Sequence, residues 1–340
     1  MRRLPILATA LLVSASGVRA DVPNIVVDIP PVFSLVSSVM QGVGTPKLLL
    51  RGNESPHNFA LRPSQRRDLG QADIIFWIGE GLTPWLEKAQ ASLTQKPISV
   101  ALGEQTGVVQ LSFREGAFFD EHDEHDEHDG HDEVNGHTEH NHAETHENAA
   151  AHDGKDHQDH AGHDHSGLDP HFWLDPENAI HWIYTIADIL SQTDPENAGT
   201  YYANATRTKA SLELLNKNIA QQLAPHRAER FLIVHDAFQY FEARFGLAAQ
   251  GAISDGHAAP PSAARILAIR KLMQNQKISC VFAEPGYNAK LLDNLISETS
   301  VRLKQLDPLG AGLPLDHTLY EAVLQNMADM MVACFTNNEG

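Results

Sequence analysis

The sequence predicts an α/β protein of two lobes, each a mostly parallel sheet flanked by helices, joined by one long helix. Three observations carry this expectation. Short β-branched runs alternate with helical periodicity over residues 24–102, an alternation that implies a parallel sheet with helices on both faces. The alternation restarts at Phe231 and runs to Cys334. Between the two stands one helical pattern begun by Asp194-Pro195-Glu196 and running to about Leu223, a helix of ~28 residues that at 1.5 Å per residue spans about 42 Å and suits a rigid spine.

Taken in order, Asn24–Asp28 suits a buried strand, and Pro31–Val39 follows with helical spacing. Lys47–Leu50 is the next strand. A helix opens at Arg62, with Pro63 at a first position where its missing N–H costs little. Ala72–Ile78 is an apolar strand, Leu82–Leu93 a helix and Ile98–Leu102 a further strand. The pattern stops near Ala117 and resumes near Leu168. Asp175-Pro176-Glu177 has the character of a helix start leading into Ala179–Leu190, and Asp194-Pro195-Glu196 begins the spine. The second lobe then reads as strand Phe231–Val234, helix Ala237–Phe245, strand Ala252-Ile253, helix Ala263–Gln274, strand Cys280–Phe282, helix Leu291–Ser297, strand Val301–Leu306 and helix Leu319–Cys334. The expected organisation is a leader over 1–20, a first lobe over 21–193, the linking helix over 194–224 and a second lobe over 225–340.

The leader has the form of an export signal: Arg2 and Arg3, an apolar run from Leu4 to Val13, then small residues up to Ala20. Its apolar run is shorter than the ~20 residues of a spanning helix, and no later stretch approaches that length. No cysteine sits at the expected cleavage point, so a soluble periplasmic monomer without a covalent membrane anchor is expected. The remaining 320 residues suit two globular units, each large enough for its own core, at roughly 100–200 residues per domain. Cys280 and Cys334 are the only cysteines. An oxidising compartment permits them to pair, the alternative being two buried thiols.

The net charge of −19 is concentrated. Residues 120–165 hold sixteen Asp or Glu and one Lys, a local charge of −15 that leaves −4 for the rest. No basic patch argues for nucleic acid. The stretch 117–167 has too few apolar residues to offset its ordering entropy and is expected to be a disordered loop. Thirteen histidines lie within it: His122, His125, His128, His131, His137, His140, His142, His146, His152, His157, His160, His163 and His165. A solvated acidic linker explains the composition without the histidines. Imidazoles flanked by carboxylates capture several divalent ions, so an auxiliary metal loop is expected, acting as scavenger or as sensor.

Three other histidines stand where a strand or loop gives way to a helix: His57 in Ser55-Pro56-His57-Asn58-Phe59, His171 in Asp169-Pro170-His171-Phe172-Trp173, and His235 in Val234-His235-Asp236-Ala237-Phe238. Open α/β sheets bind ligands beyond the carboxyl ends of their strands, and three imidazoles there supply the nitrogen set Zn²⁺ favours. Singly, each is more often a satisfied polar residue than a ligand. Together with Phe282-Ala283-Glu284-Pro285 and Leu306-Asp307-Pro308-Leu309-Gly310, these segments resemble, across the mature chain and in order, the metal-binding substrate-binding proteins of ABC importers. Within that family the likeness is to the zinc-uptake receptors of the ZnuA type.

The resemblance implies a cleft between two lobes in which Zn²⁺ is held by His57, His171 and His235, with delivery to an ABC permease and its ATPase. Manganese relatives carry a carboxylate where this chain has His235, which favours Zn²⁺ here. The fourth ligand stays open between Asp307, which matches the family's last carboxylate ligand, and water, since Pro56 cannot ligate and Glu54 lies farther off. Glu284 suits a partner to a ligating histidine. The rival readings are a zinc-dependent hydrolase with a three-histidine site, for which neither a helical zinc-protease motif nor a nucleophile elbow is present, and a zinc chaperone or buffer without a transporter.

Overall fold

The computed structural model describes residues 22–51, 54–114, 118–119, 167–254, 261–275, 277–287, 289–297 and 299–337. The expected leader over 1–20 and all thirteen histidines of the acidic stretch lie outside the described residues. Strands β1 (Ile25–Val27), β2 (Lys47–Leu48), β3 (Ile74–Trp77) and β4 (Ile98–Ala101) form a sheet in the order β2-β1-β3-β4. Strands β5 (Phe231–Ile233), β6 (Ala249–Ala252), β7 (Cys280–Ala283) and β8 (Arg302–Gln305) form another in the order β6-β5-β7-β8. Every pairing is parallel. The α/β class with two parallel sheets is therefore observed.

Helices α1 (Pro30–Val39), α2 (Pro63–Gly70) and α3 (Pro84–Ala91) belong to the first sheet, and α4 (Pro176–Thr193) and α5 (Ala198–Leu223) follow the acidic stretch. Helices α6 (Gln239–Phe245), α7 (Ala263–Asn275), α8 (Ala289–Ile296) and α9 (Leu319–Phe335) complete the chain. Proline occupies the start of α1, α2, α3 and α4, where a fixed φ is already helical and no hydrogen bond is lost. At α4 the Asp175 side chain also accepts from the Glu177 amide at 2.9 Å, satisfying one of the donors a helix start leaves open. The 26 residues of α5 make a rod of about 39 Å. No helix among the described residues is long and apolar enough to cross a membrane.

Successive strand residues point to opposite faces, and the buried residues sort accordingly. Val26, Ile75 and Trp77 join Leu69 and Leu86 in a cluster private to the first sheet. Leu232, Val234, Val281 and Ala283 join Ile269, Leu272 and Leu292 in one private to the second. The alternate residues Ile25, Val27, Ile74 and Phe76, and likewise Phe231, Ile233, Cys280 and Phe282, enter one cluster common to both sheets, filled by α1, α4, α5, α6 and α9. Two separate cores were expected from length; the largest cluster instead runs through both sheets. Polar bonds reinforce it: the Tyr320 amide donates to Ser34 Oγ (3.0 Å), Ser38 Oγ to His317 O (2.9 Å), and Asn204 Nδ2 to Val39 O (2.8 Å). Cys280 and Cys334 are disulfide-bonded, Cα to Cα 6.2 Å, fixing α9 to β7.

Several boundaries differ from expectation, three of them for a visible local reason. Helix α3 begins at Pro84, because Leu82 and Thr83 turn back to donate to Gly79 O. Helix α6 begins at Gln239, because 235–238 form a turn in which the Ala237 amide donates to His235 O. Strand β6 is Ala249–Ala252, a segment without β-branched residues that is held by its pairing with β5. The expected disordered range of 117–167 is also too wide at both ends. Phe118 bridges antiparallel to Gly251, the Phe119 amide donates to Gln250 O, and Gly167 O accepts from Phe113 N.

Candidate metal centre

His57, His171 and His235 come together although 114 and 64 residues separate them in sequence. Each offers a ring nitrogen, and the three atoms lie within 4.8 Å of one another. Ring centroids are 5.6 Å apart for His57 with either partner and 5.1 Å for His171 with His235. Atoms this close share a point within about 2.8 Å of each, so bonds of ~2.0–2.1 Å require each ring to advance by less than about 1 Å. The cavity around them is lined also by Glu54, Trp173, Glu284 and Asp307.

Each imidazole has its own mount. His57 sits in the loop after β2. That loop is held by Trp85 Nε1 donating to Pro56 O at 2.7 Å, by the Arg62–Glu54 ion pair, and by Phe59 packed on Trp85. His171 is 2 % exposed and precedes the short turn Phe172–Leu174. Its amide donates to Asp169 Oδ1 at 3.0 Å, its Nδ1 lies 2.7 Å from the same oxygen, and neighbouring Trp173 donates through Nε1 to Pro308 O at 2.8 Å. His235 follows β5, and its Nδ1 lies 2.9 Å from Glu284 Oε2, which follows β7. A carboxylate facing Nδ1 favours the tautomer with hydrogen on Nδ1, which makes Nε2 the nitrogen of His171 and of His235 that carries a lone pair suited to a cation.

The electrostatics behind the rings are acidic. Burial pushes Asp169 up to about 7, opposed by the His171 amide and by Arg114. Burial likewise pushes Asp236, beside His235, up to about 6 against the pull of Arg114. Burial acts to raise Glu284 also, but His235 and, behind it, His171 outweigh it and hold this carboxyl below its ordinary value. Carboxylates placed behind imidazole ligands in this way suit a divalent cation.

Asp307 lines the same cavity but is not among the groups within 4.8 Å. Its Oδ1 accepts from the amides of Leu309 and Gly310 (3.0 and 2.8 Å) and its Oδ2 from Ala311 (2.6 Å), so Oδ2 alone keeps an unused lone pair. Glu284 was foreseen as a histidine partner. Asp169 was not, although its place two residues before His171 is a local signal, because such a carboxylate readily bonds the backbone two positions on. Arg114, which bonds Asp236 and Glu242, had no local signal: its partners are 122 and 128 residues away.

A profile of the family described as "Zinc-uptake complex component A periplasmic", ZnuA, matches residues 25–334. A protein of Paracoccus denitrificans named "High-affinity zinc uptake system protein ZnuA" is 42 % identical over 330 residues, covering 97 % of each chain. A protein of the same name from Brucella suis biovar 1 is 40 % identical over 332 residues, again covering 97 % of each. Among solved structures, a zinc-bound ZnuA lacking its residues 138–173 shares the fold with a TM-score of 0.69 at 23 % identity, covering 92 % of this chain and 98 % of that one.

Proposed function

This chain belongs to the ZnuA family of periplasmic zinc-uptake components, and on that premise we propose that it is a periplasmic zinc receptor whose cargo is held by His57, His171 and His235 and delivered to an ABC permease and its ATPase. The observation that carries the reading is the convergence of three imidazoles within 4.8 Å, two of them with Nδ1 turned to a carboxylate. The fourth position goes to Asp307 Oδ2 or to water. The thirteen histidines of the acidic stretch serve as auxiliary zinc sites, and chain and site together function as a monomer.

A binding role fits the carboxylates better than hydrolysis does. Every acid lining the cavity is engaged: Glu54 by Arg62 and the Arg51 amide, Glu284 by His235, Asp307 by three amides. The common core through both sheets supports a receptor that loads by small local shifts rather than by a wide hinge. Metal content by mass spectrometry on protein purified without affinity resin tests the reading: one tightly held zinc per wild-type chain in buffered chelator, absent from His57→Ala, is the expected result. A wild-type chain that retains no zinc under those conditions would sink it.

A further inference from the structure

The two legs of the acidic insertion meet the site at its back. The outgoing leg, residues 111–114, and the returning leg, residues 167–169, pair through the Ser112–Leu168 bridge, and the Asp169 amide donates to Leu111 O at 2.8 Å. Both legs are fastened to α6. Tyr240 Oη accepts from the Leu111 amide and donates to Asp169 O, each at 2.9 Å. With its amide oriented to satisfy its neighbours, Gln239 donates to Asp169 Oδ2 (3.0 Å) and to Ser112 O (3.1 Å).

At the end of the outgoing leg Arg114 closes the assembly. Its Nε reaches both oxygens of Asp236 (3.1 and 3.2 Å) and its Nη2 bonds Asp236 Oδ1. Nη1 donates to Glu242 Oε2 at 2.8 Å and Nη2 to Glu242 Oε1 at 3.1 Å. The guanidinium lies 3.8 Å from the centre of the Phe119 ring. Its side chain is 17 % exposed and both carboxylates are nearly fully buried. Asp236 adjoins His235 in sequence, and Asp169 bonds His171. One planar cation therefore ties the turn bearing one imidazole to the leg that braces the other. A lysine cannot span two carboxylates this way or stack its charge flat on the ring.

Resting on the zinc-receptor reading, we infer that Arg114 is a positioning residue for the metal site, holding the His235 turn in register with the Asp169–His171 turn from the root of the insertion. Outer partners of ligating histidines typically contribute 10–100-fold in metal affinity. Removing Arg114 also leaves Asp236 and Glu242 buried without their cation, which is costly in itself, so stability alone cannot test the inference.

The test uses the full chain, zinc titrated against a competing chelator, and the visible d–d band of Co²⁺ added below one equivalent. Arg114→Met is expected to weaken zinc roughly 10–100-fold and to move or weaken the Co²⁺ band, which reports ligand geometry. Arg244→Met is the control. It removes a bidentate pair between α6 and Asp175 at the start of α4, 2.7 Å for each bond; Asp175 closes the turn after His171 but, unlike Asp236, does not adjoin a ligand histidine in sequence. It should lower the melting temperature with zinc affinity and the Co²⁺ band unchanged. If Arg114→Met does not fold, Arg114→Lys keeps the charge without the fork and should still disturb the band. An unchanged band and affinity in a folded Arg114 variant, or equal losses in the Arg244 control, would overturn the inference. Failure of the wild type to bind zinc tightly would instead overturn the receptor reading.

Discussion

The two sheets have one topology and opposite strand ends. In the first, Val27 pairs with Phe76 and Phe76 with Val100; in the second, Ile233 pairs with Phe282 and Phe282 with Lys304. Two residues beyond each of these stand Ile29, Ile78 and Leu102 in the first lobe, and His235, Glu284 and Leu306 in the second. One step further, Gly103 corresponds to Asp307. The general rule that ligands bind beyond the carboxyl ends of parallel strands therefore gives the place twice, while side-chain chemistry makes it a site once. The first lobe contributes from loops instead: His57 after β2, and His171 at the return of the acidic insertion. Its own ionisable group at a strand end, Asp28, is buried and occupied by the amides of Ile29 (2.8 Å) and Ile78 (2.9 Å).

That asymmetry can be broken from the strongest effect downward. His235→Ala removes the imidazole supplied by a sheet end and is expected to cost roughly a third of the ~10–16 kcal/mol of a tight structural zinc. Chelator competition would read this as loss of the tight site. If affinity stayed within tenfold of wild type, the second lobe would not be supplying a ligand.

Asp28 is next. Burial pushes it from 3.8 up to about 7, so its contribution to stability is fully present below about pH 4 and is lost as pH rises through about 7. The loss is up to about 4 kcal/mol at 1.36 kcal/mol per pH unit. Melting temperatures across pH 4–7 should fall for wild type relative to Asp28→Asn. Parallel curves would show that burial does not shift Asp28 and that its two amide bonds hold it ionised.

Glu284→Gln leaves His235 in place but weakens the fixation of its ring, with an expected loss of roughly 10–100-fold in zinc affinity. Calorimetry at fixed pH measures it, and a loss as large as that of His235→Ala would move Glu284 from partner to ligand. Asp307→Asn should have the smallest effect, under about tenfold, because two of the three amides it serves occupy Oδ1. A larger loss would make Asp307 the fourth ligand and the second lobe the donor of two.

Much of this was legible from residues alone. The runs that became β1, β3, β5 and β7 are apolar and β-branched or aromatic, and such runs suit strands buried on both faces. The spine was readable from Tyr201, Ala205, Ala210, Leu212, Leu215, Ile219 and Leu223 at helical spacing, of which five are buried, Leu215 is half-buried and Ala210 is exposed. Strand β6 was misplaced because Ala249-Gln250-Gly251-Ala252 has no strand propensity of its own, and its conformation comes from the neighbour it pairs with. The shared core was not legible, since periodicity shows which face of an element is apolar and not which other element covers it. The three histidines became a set only through the resemblance, and Arg114 was invisible because nothing local distinguishes a cation whose anions lie in the other lobe.

The placement of tryptophan has a practical consequence. Of the four in the chain, Trp173 has its ring 5.3 Å from that of His171, and Trp85 is bonded to Pro56 beside His57. Trp77 and Trp182 bond Ser99 and Leu102 O instead. The unlabelled molecule thus carries one fluorophore against the His171 imidazole and another that holds the loop bearing His57. Loading can be followed by ultraviolet emission in real time, with Trp85→Phe and Trp173→Phe separating the order in which the two flanks respond.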